Sequence, residues 1–152
     1  MLPRLRRFAH GLTANAADAD DLTQMTVERA LRARDQWREG TRLDSWLFRI
    51  LRNLWIDTAR SRARASRVQL PEEAGENVGH DPSAGIEAKL TLAQAMTAMG
   101  RLPLEQREVL SLVLIEGVGY AEAADILGIP MGTLSSRLVR GRAALLTLIG
   151  GG

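Results

Sequence analysis

The sequence predicts an all-α protein: two small helical domains joined by a flexible acidic linker, the second containing a helix-turn-helix. Three observations carry this. Apolar residues recur at spacings of three and four along both ends of the chain. Proline is absent between Pro3 and Pro71, so nothing interrupts helices over that span. Charge is blocked: residues 1–67 hold fourteen arginines against eight acids, residues 68–88 hold five acids and no lysine or arginine, and residues 89–152 hold six cations against five acids. The formal net charge is only +2 although the sequence pI is 9.9, so the distribution of charge is more informative than its sum. At 152 residues the chain suffices for one ordinary domain or two very small ones.

In residues 1–67 three helices are expected. Leu2, Leu5, Phe8, Ala9 and Leu12 make the buried stripe of the first, which ends between Gly11 and Asp18. Asp18, Asp20 or Asp21 caps the second, where a carboxylate suits the positive end of the helix dipole. Leu22, Met25, Ala30, Ala33 and Trp37 follow at helical spacing, and Gly40 closes the element. A third helix opens at Thr41 or Asp44. Leu47, Ile50, Leu51, Leu54 and Thr58 form one stripe on it, while Arg49, Asn53 and Arg60 share another face.

Segment 68–88, VQLPEEAGENVGHDPSAGIEA, holds two prolines, three glycines and all five acids of its block, a composition that cannot bury a core. It is the expected linker. The helical period resumes near Ile86 with Leu90, Ala93, Met96 and Ala98, and Pro103 starts a further helix carrying Val109, Leu110, Leu112 and Val113. The stretch from Gly119 to Leu146 has helix-turn-helix syntax. A short helix, Tyr120 to Leu127, is ended by Gly128, which tolerates a left-handed backbone, and Pro130 sits where a missing N–H costs nothing. In the helix that follows, Leu134, Leu138, Gly141, Leu145 and Leu148 lie on one side. Thr133, Ser136, Arg137 and Arg140 lie on the other, an arrangement suited to a major groove, where arginine pairs bidentately with guanine. The plainer alternative is a solvated amphipathic helix with scattered arginines.

The run Leu102-Pro103, Arg107, Val109-Leu110, Glu116-Gly117, Tyr120, Ala123-Ala124, Leu127-Gly128, Pro130, Gly132-Thr133, Ser136-Arg137-Leu138, Arg140 and Arg142 resembles the C-terminal domain of extracytoplasmic-function sigma factors. The resemblance implies that Thr133, Ser136, Arg137 and Arg140 face the upstream, minus-thirty-five promoter element. Gly141 departs from the alanine usual between the two arginines, a change expected to weaken the helix by up to ~1 kcal/mol. The wording LPLEQREVL and EGVGYAEAA is similar to the branch controlling the general stress response of alphaproteobacteria, which implies an anti-sigma protein as partner.

A second set of residues, Asp18, Asp20, Asp21-Leu22 and Gln24, then Trp46 to Ile50, Arg52-Asn53-Leu54, Asp57 and Arg60, resembles the N-terminal domain of the same family. That resemblance implies that Asp20, Asp21, Leu22 and Gln24 dock on core RNA polymerase. Met25 stands where the family commonly has glutamate. It also implies that Asn53 and the loop Glu39 to Leu43 hold a base extruded from the melted minus-ten element. An amide offers a flipped base edge both a donor and an acceptor. Residues 42–67 carry seven arginines against two acids, an electrostatic footprint for phosphates, with Arg49 and Arg60 among them. Trp46 and Trp55 either stack on bases or fill the core of a small domain.

The expected function is therefore promoter recognition in transcription initiation. The linker is expected to let the domains reach separated elements, and its acidity to mimic nucleic acid in the polymerase channel. The alternatives are a stand-alone helix-turn-helix regulator, which needs no N-terminal domain, and a metal-dependent nuclease built on Asp18, Asp20 and Asp21. The nuclease lacks an accompanying histidine or distant carboxylate. Cysteine is absent and the two histidines, His10 and His80, lie far apart, so no metal site, cofactor or catalytic residue is expected. No run of ~18 apolar residues suggests a membrane span, and the basic start is unlike a secretory signal. A cytoplasmic location follows as an expectation.

Overall fold

The computed structural model describes residues 1–40, 42–68 and 92–150. Among these residues the regular elements are all helical: α1 (Leu2–Thr13), α2 (Ala16–Arg32), α3 (Leu43–Val68), α4 (Leu92–Met99), α5 (Leu104–Leu110), α6 (Tyr120–Leu127) and α7 (Met131–Gly150). A 3-10 turn covers Arg34–Gln36 and a π turn covers Ser111–Ile115. Apart from Val68, the expected acidic linker lies outside the described residues.

Helices α1, α2 and α3 pack together as the first domain. Pro3 sits in the first turn of α1, where its missing N–H has no intrahelical partner to lose. Leu5, Phe8, Ala9 and Leu12 are buried as their spacing predicts; Leu2, on the outer end of the helix, is exposed. Phe8 meets Phe48 of α3 edge to face at 5.1 Å, a favourable arrangement of ring quadrupoles. Two expectations for α2 are corrected. Its N-cap is Asn15, whose side-chain oxygen accepts from the Asp18 amide at 2.9 Å, because the aspartates already lie inside the helix. Its buried face is Ala19, Leu22, Thr23, Thr26 and Ala30, which leaves Met25 outside and exposed. Both threonine hydroxyls are satisfied internally, donating to the carbonyls of Ala19 and Leu22 at 2.7 and 2.8 Å.

The second helix also stops earlier than expected. It ends at Arg32, the chain tightens into the 3-10 turn, and Trp37 continues in extended backbone. Gly40, at φ +93°, makes a turn before α3 that an L side chain would strain. On α3, Leu47, Phe48, Leu51, Leu54 and Trp55 are buried and Ile50 is partly buried. Trp55 is thereby assigned to the core, with the Arg62 guanidinium over its ring at 5.5 Å; it is not a surface on which bases stack.

In the second domain α5 and α6 both pack on α7. Gly128, at φ +68°, ends α6 in a Schellman arrangement: its own amide donates to Asp125 O at 3.2 Å and the Ile129 amide to Ala124 O at 3.0 Å. The Pro130 carbonyl then accepts the first bond of α7 from Leu134 N at 3.0 Å. Leu134, Leu138 and Gly141 are buried on the inner face. A Cβ at Gly141 would sit 3.2 Å from both Gln106 Cβ and Leu110 Cδ1, so this glycine sets how closely α5 and α7 approach.

The two domains share one hydrophobic core running from Leu5 to Leu138. Helix α1 packs on α4, α5 and the π turn, and α3 packs on α6. In the π turn Glu116 N donates to Ser111 O at 2.9 Å, and the widened turn sets Ser111 directly against Gly11. No helix among the described residues is long and apolar enough to cross a membrane.

Candidate nucleic-acid interface

The outer face of α7 is assembled as its spacing predicts. Thr133, Ser136 and Arg137 are half-buried on one side of the helix and Arg140 is exposed. Arg140 donates from Nη1 to Ser136 Oγ at 2.6 Å. That contact joins residues one turn apart, so the hydroxyl holds the guanidinium along the helix surface. The short α6 is ended by Gly128 before α7 begins, and burial of Leu134 and Leu138 leaves Thr133, Ser136 and Arg137 at the margin of the core and Arg140 outside it.

The basic face of α3 is more involved. Asn53 and Arg60 are exposed. Arg49 donates to Asp125 Oδ2 at 2.6 Å, and Arg52 donates from Nε to Glu108 Oε1 at 3.1 Å. Just before the helix Arg42 lies 3.2 Å from Glu122 and donates to Asp44, and Ser45 donates to Glu122. All three of the acids Glu108, Glu122 and Asp125 belong to the second domain. Between the domains lies a half-open cavity of about 310 Å³ lined by Trp37, Trp46, Arg42, Arg49, Glu122 and Asp125. Trp46, partly buried against the core, offers this cavity an aromatic wall; a wall of indole and guanidinium suits a planar base carrying a phosphate.

The electrostatics of this seam follow burial. Burial pushes the Glu108 carboxyl above the usual range, opposed by the hydrogen bond from Arg52 and by the charges of Arg52 and Arg137. The charge of Arg137 on α7 thus acts on the same carboxylate that Arg52 of α3 holds. Asp44 is held well below the usual range, first by its hydrogen bond from Arg42 and then by those from Arg4 and Ser45 N. Elsewhere on the seam, the buried Glu116 accepts from Arg7 Nε and Nη2 at 2.8 and 3.0 Å and from Arg4 Nε at 3.2 Å. Arg107 donates to the carbonyls of Gly11 and Leu12, closing the C-terminal end of α1 from the other domain.

On α2 the structure separates the residues expected to dock. Asp20, Asp21 and Gln24 are exposed, with Asp20 3.2 Å from Arg6. Leu22 is a correction: it is 3% exposed, because its position on the helix turns it into the core between α1 and α3, and it offers no surface to a partner. Asp18 is taken by Arg62, which donates to both carboxylate oxygens at 2.9 and 3.0 Å. Asp18 and Asp20 thus pair with different arginines, and among the described residues no group of three His, Asp or Glu is arranged to hold a metal ion.

Trp37 and the acids Glu108, Glu122 and Asp125 carry no site role in the sequence reading, whereas Arg42 falls in the loop Glu39 to Leu43 and Arg52 in the run that resembles the N-terminal domain.

Comparison with known proteins decides what this arrangement belongs to. Residues 1–65 match the family model for sigma-70 region 2 and residues 92–145 match that for sigma-70 region 4. The sigma factor EcfG of Rhodopseudomonas palustris, of the extracytoplasmic-function group, is 40% identical over 97% of this chain and 80% of its own length. The chain belongs to the extracytoplasmic-function sigma factors. SigE of Mycolicibacterium smegmatis is 37% identical over 93% of the chain and 56% of that relative. Among solved structures, the sigma factor RpoE of Bartonella quintana, crystallised with the anti-sigma factor NepR, superposes with a TM-score of 0.84 at 33% identity, covering 99% of this chain and 92% of that one. CnrH, solved with the cytosolic domain of CnrY, gives a TM-score of 0.66 at 29% identity. As a sigma factor, the chain carries region 2 on α1 to α3 and region 4 on α4 to α7.

Proposed function

We propose that this sigma factor directs RNA polymerase to its promoters by dividing recognition between the two regions, with the outer face of α7 carrying the upstream element. Thr133, Ser136, Arg137 and Arg140 lie together on that face, and Arg137 and Arg140 are the guanine or phosphate contacts. Region 2 docks on core polymerase through Asp20, Asp21 and Gln24, Leu22 serving only to position them. Asn53, Arg49, Arg60 and Trp46 hold the melted downstream element, the amide on the base edge and the arginines on the phosphates.

The observation that carries this reading is the α7 face, where exposed Arg140 lies together with half-buried Thr133, Ser136 and Arg137 beside the buried Leu134, Leu138 and Gly141. Similarity to the Bartonella relative solved with an anti-sigma factor supports an anti-sigma partner for this chain, and the resemblance of LPLEQREVL and EGVGYAEAA to the alphaproteobacterial general-stress-response branch supports a place in that response. The proposed chain acts in the cytoplasm without a cofactor or catalytic activity of its own, with domain boundaries near residues 67 and 89 flanking the acidic linker.

Run-off transcription with alphaproteobacterial core polymerase on genomic templates tests this. Discrete transcripts are expected, and Arg137→Ala, Arg140→Ala and Asn53→Ala should each reduce them about tenfold or more, the loss of ~1–3 kcal/mol typical of one specific contact. Tight binding to duplex promoter without polymerase, together with no transcripts from active core, would overturn it in favour of a stand-alone regulator.

A further inference from the structure

Leu134, Leu138 and Gly141 mark the buried side of α7. With about 100° of turn per residue, the direction opposite to them leaves the helix between Ser136 and Val139. Val139 is 67% exposed, more than any other large apolar side chain among the described residues. It is not among the apolar residues packed against the core, and β-branching lowers helix propensity at an exposed position. Neither packing nor helix stability accounts for a valine here. Its surroundings are open: Gly132 and Ala143 share its side of the helix and are exposed, and a Cβ at Gly132 would meet nothing within 4 Å. Arg140 stands on one flank of Val139 and Arg142 on the other, both exposed. Arg140 donates to Ser136 Oγ, so its guanidinium lies back towards the helix start and leaves the valine uncovered. An apolar tip between two cations fits a surface that is anionic around an apolar group. The major groove offers that combination where a thymine carries its C5-methyl, an apolar group among base edges that otherwise present hydrogen-bond donors and acceptors.

We propose that Val139 is a specificity-determining residue, whose branched side chain packs against a pyrimidine C5-methyl in the major groove of the upstream element. The inference rests on the reading of α7 as the helix that enters that groove. Thymine and 5-methylcytosine carry the same methyl group, so the contact separates either one from its unmethylated counterpart. The flanking arginines contribute charge and hydrogen bonds, which phosphates and guanine satisfy. Val139 adds a discrimination that no charged or hydroxyl side chain on this face supplies, and one that salt does not screen.

The test uses the full chain with core polymerase on a promoter fragment that yields a run-off transcript. On both strands of the upstream element each thymine is replaced in turn by deoxyuridine, which removes the methyl and keeps the pairing. Each cytosine is replaced in turn by 5-methylcytosine, which adds a methyl, so every base pair is probed. At one or two thymines the wild type should initiate about fourfold less well on deoxyuridine, the effect of burying one methyl group. Val139→Ala should initiate less well on the native element and treat thymine and deoxyuridine alike, while Val139→Ile should restore the difference. A gain of similar size on methylating one cytosine, absent in Val139→Ala, supports the same contact and makes 5-methylcytosine its source. Flat scans with both bases, or a thymine-to-deoxyuridine ratio equal in wild type and Val139→Ala, would refute the contact. A variant that merely weakens α7 lowers all templates equally, so the ratio between templates decides. Arg140→Ala separates the two layers of the reading: undiminished transcription there overturns α7 as the upstream-element helix, whereas a loss there combined with flat methyl scans overturns the Val139 contact alone.

Discussion

Asn15 shows how much of the first domain depends on one side chain. Its oxygen satisfies the Asp18 amide, one of the donors that a helix start leaves without an intrahelical partner. With that amide capped, the Asp18 carboxylate is available for both guanidinium nitrogens of Arg62, which ties the start of α2 to the far half of α3. Asn15→Ala should therefore destabilise the protein by about 1 kcal/mol, read as a lower urea midpoint with an unchanged slope. Asp18→Asn should cost less, because the pair it breaks is largely exposed; a larger loss at Asp18 than at Asn15 would reverse this assignment. The preference of caps for Asn and Asp is legible in the sequence, but the sequence offers four such residues between positions 15 and 21. Choosing among them needs the register of α2, which Thr23 and Thr26 disguise by being buried and polar. Gly141 shows the reverse case. Helix propensity alone predicts that alanine is better there, whereas the 3.2 Å approach of Gln106 and Leu110 means that a methyl group must displace a packed neighbour.

At the scale of elements, α3 is stabilised at its start by Asp44, which receives hydrogen bonds from Arg42, Arg4 and the Ser45 amide. The folded state thus holds this carboxyl well below the value of about 4 expected for the unfolded chain. Its stabilisation is complete above that unfolded value and is lost as the pH falls below it towards the depressed folded value. Asp44→Asn should lower the melting temperature at pH 6 to 8, with a free-energy difference of about 1–3 kcal/mol. The gap to wild type should close as the pH is taken from about 4 towards 2. A gap that stays constant over that range would show that packing, not charge, is what Asp44 contributes. Glu108 works in the opposite sense: its raised value means that protonation on acidification relieves a penalty of burial, so its removal should not steepen the acid limb. Helix α6 and the start of α7 were legible because their boundaries are written locally, in Gly128 and Pro130. The end of α2 was not, because Trp37 leaves the helix to line a cavity completed by the other domain.

For the molecule as a whole, the feature least visible in the sequence is the union of two domains into one core. Its contacts join residues about a hundred positions apart, Arg4 and Arg7 with Glu116 and Arg107 with the end of α1, and no periodicity in a single sequence relates such partners. Composition pointed instead to two bodies on either side of an acidic segment. The seam is tightly packed at Gly11, where a Cβ would overlap Ser111 Oγ and lie 3.2 Å from Ser111 Cβ. That contact allows the seam to be broken without damaging either half. Gly11→Leu should strengthen α1 locally, since leucine is the better helix former by ~0.5–1 kcal/mol, while its side chain occupies the space held by the π turn. Wild type, with a continuous core, is expected to unfold in one transition by calorimetry. The Gly11→Leu chain should keep its helical circular dichroism but unfold in two transitions, one for each domain. A single transition at the wild-type temperature would mean that the seam yields to a side chain without separating, and that the shared core does not depend on the Gly11–Ser111 contact.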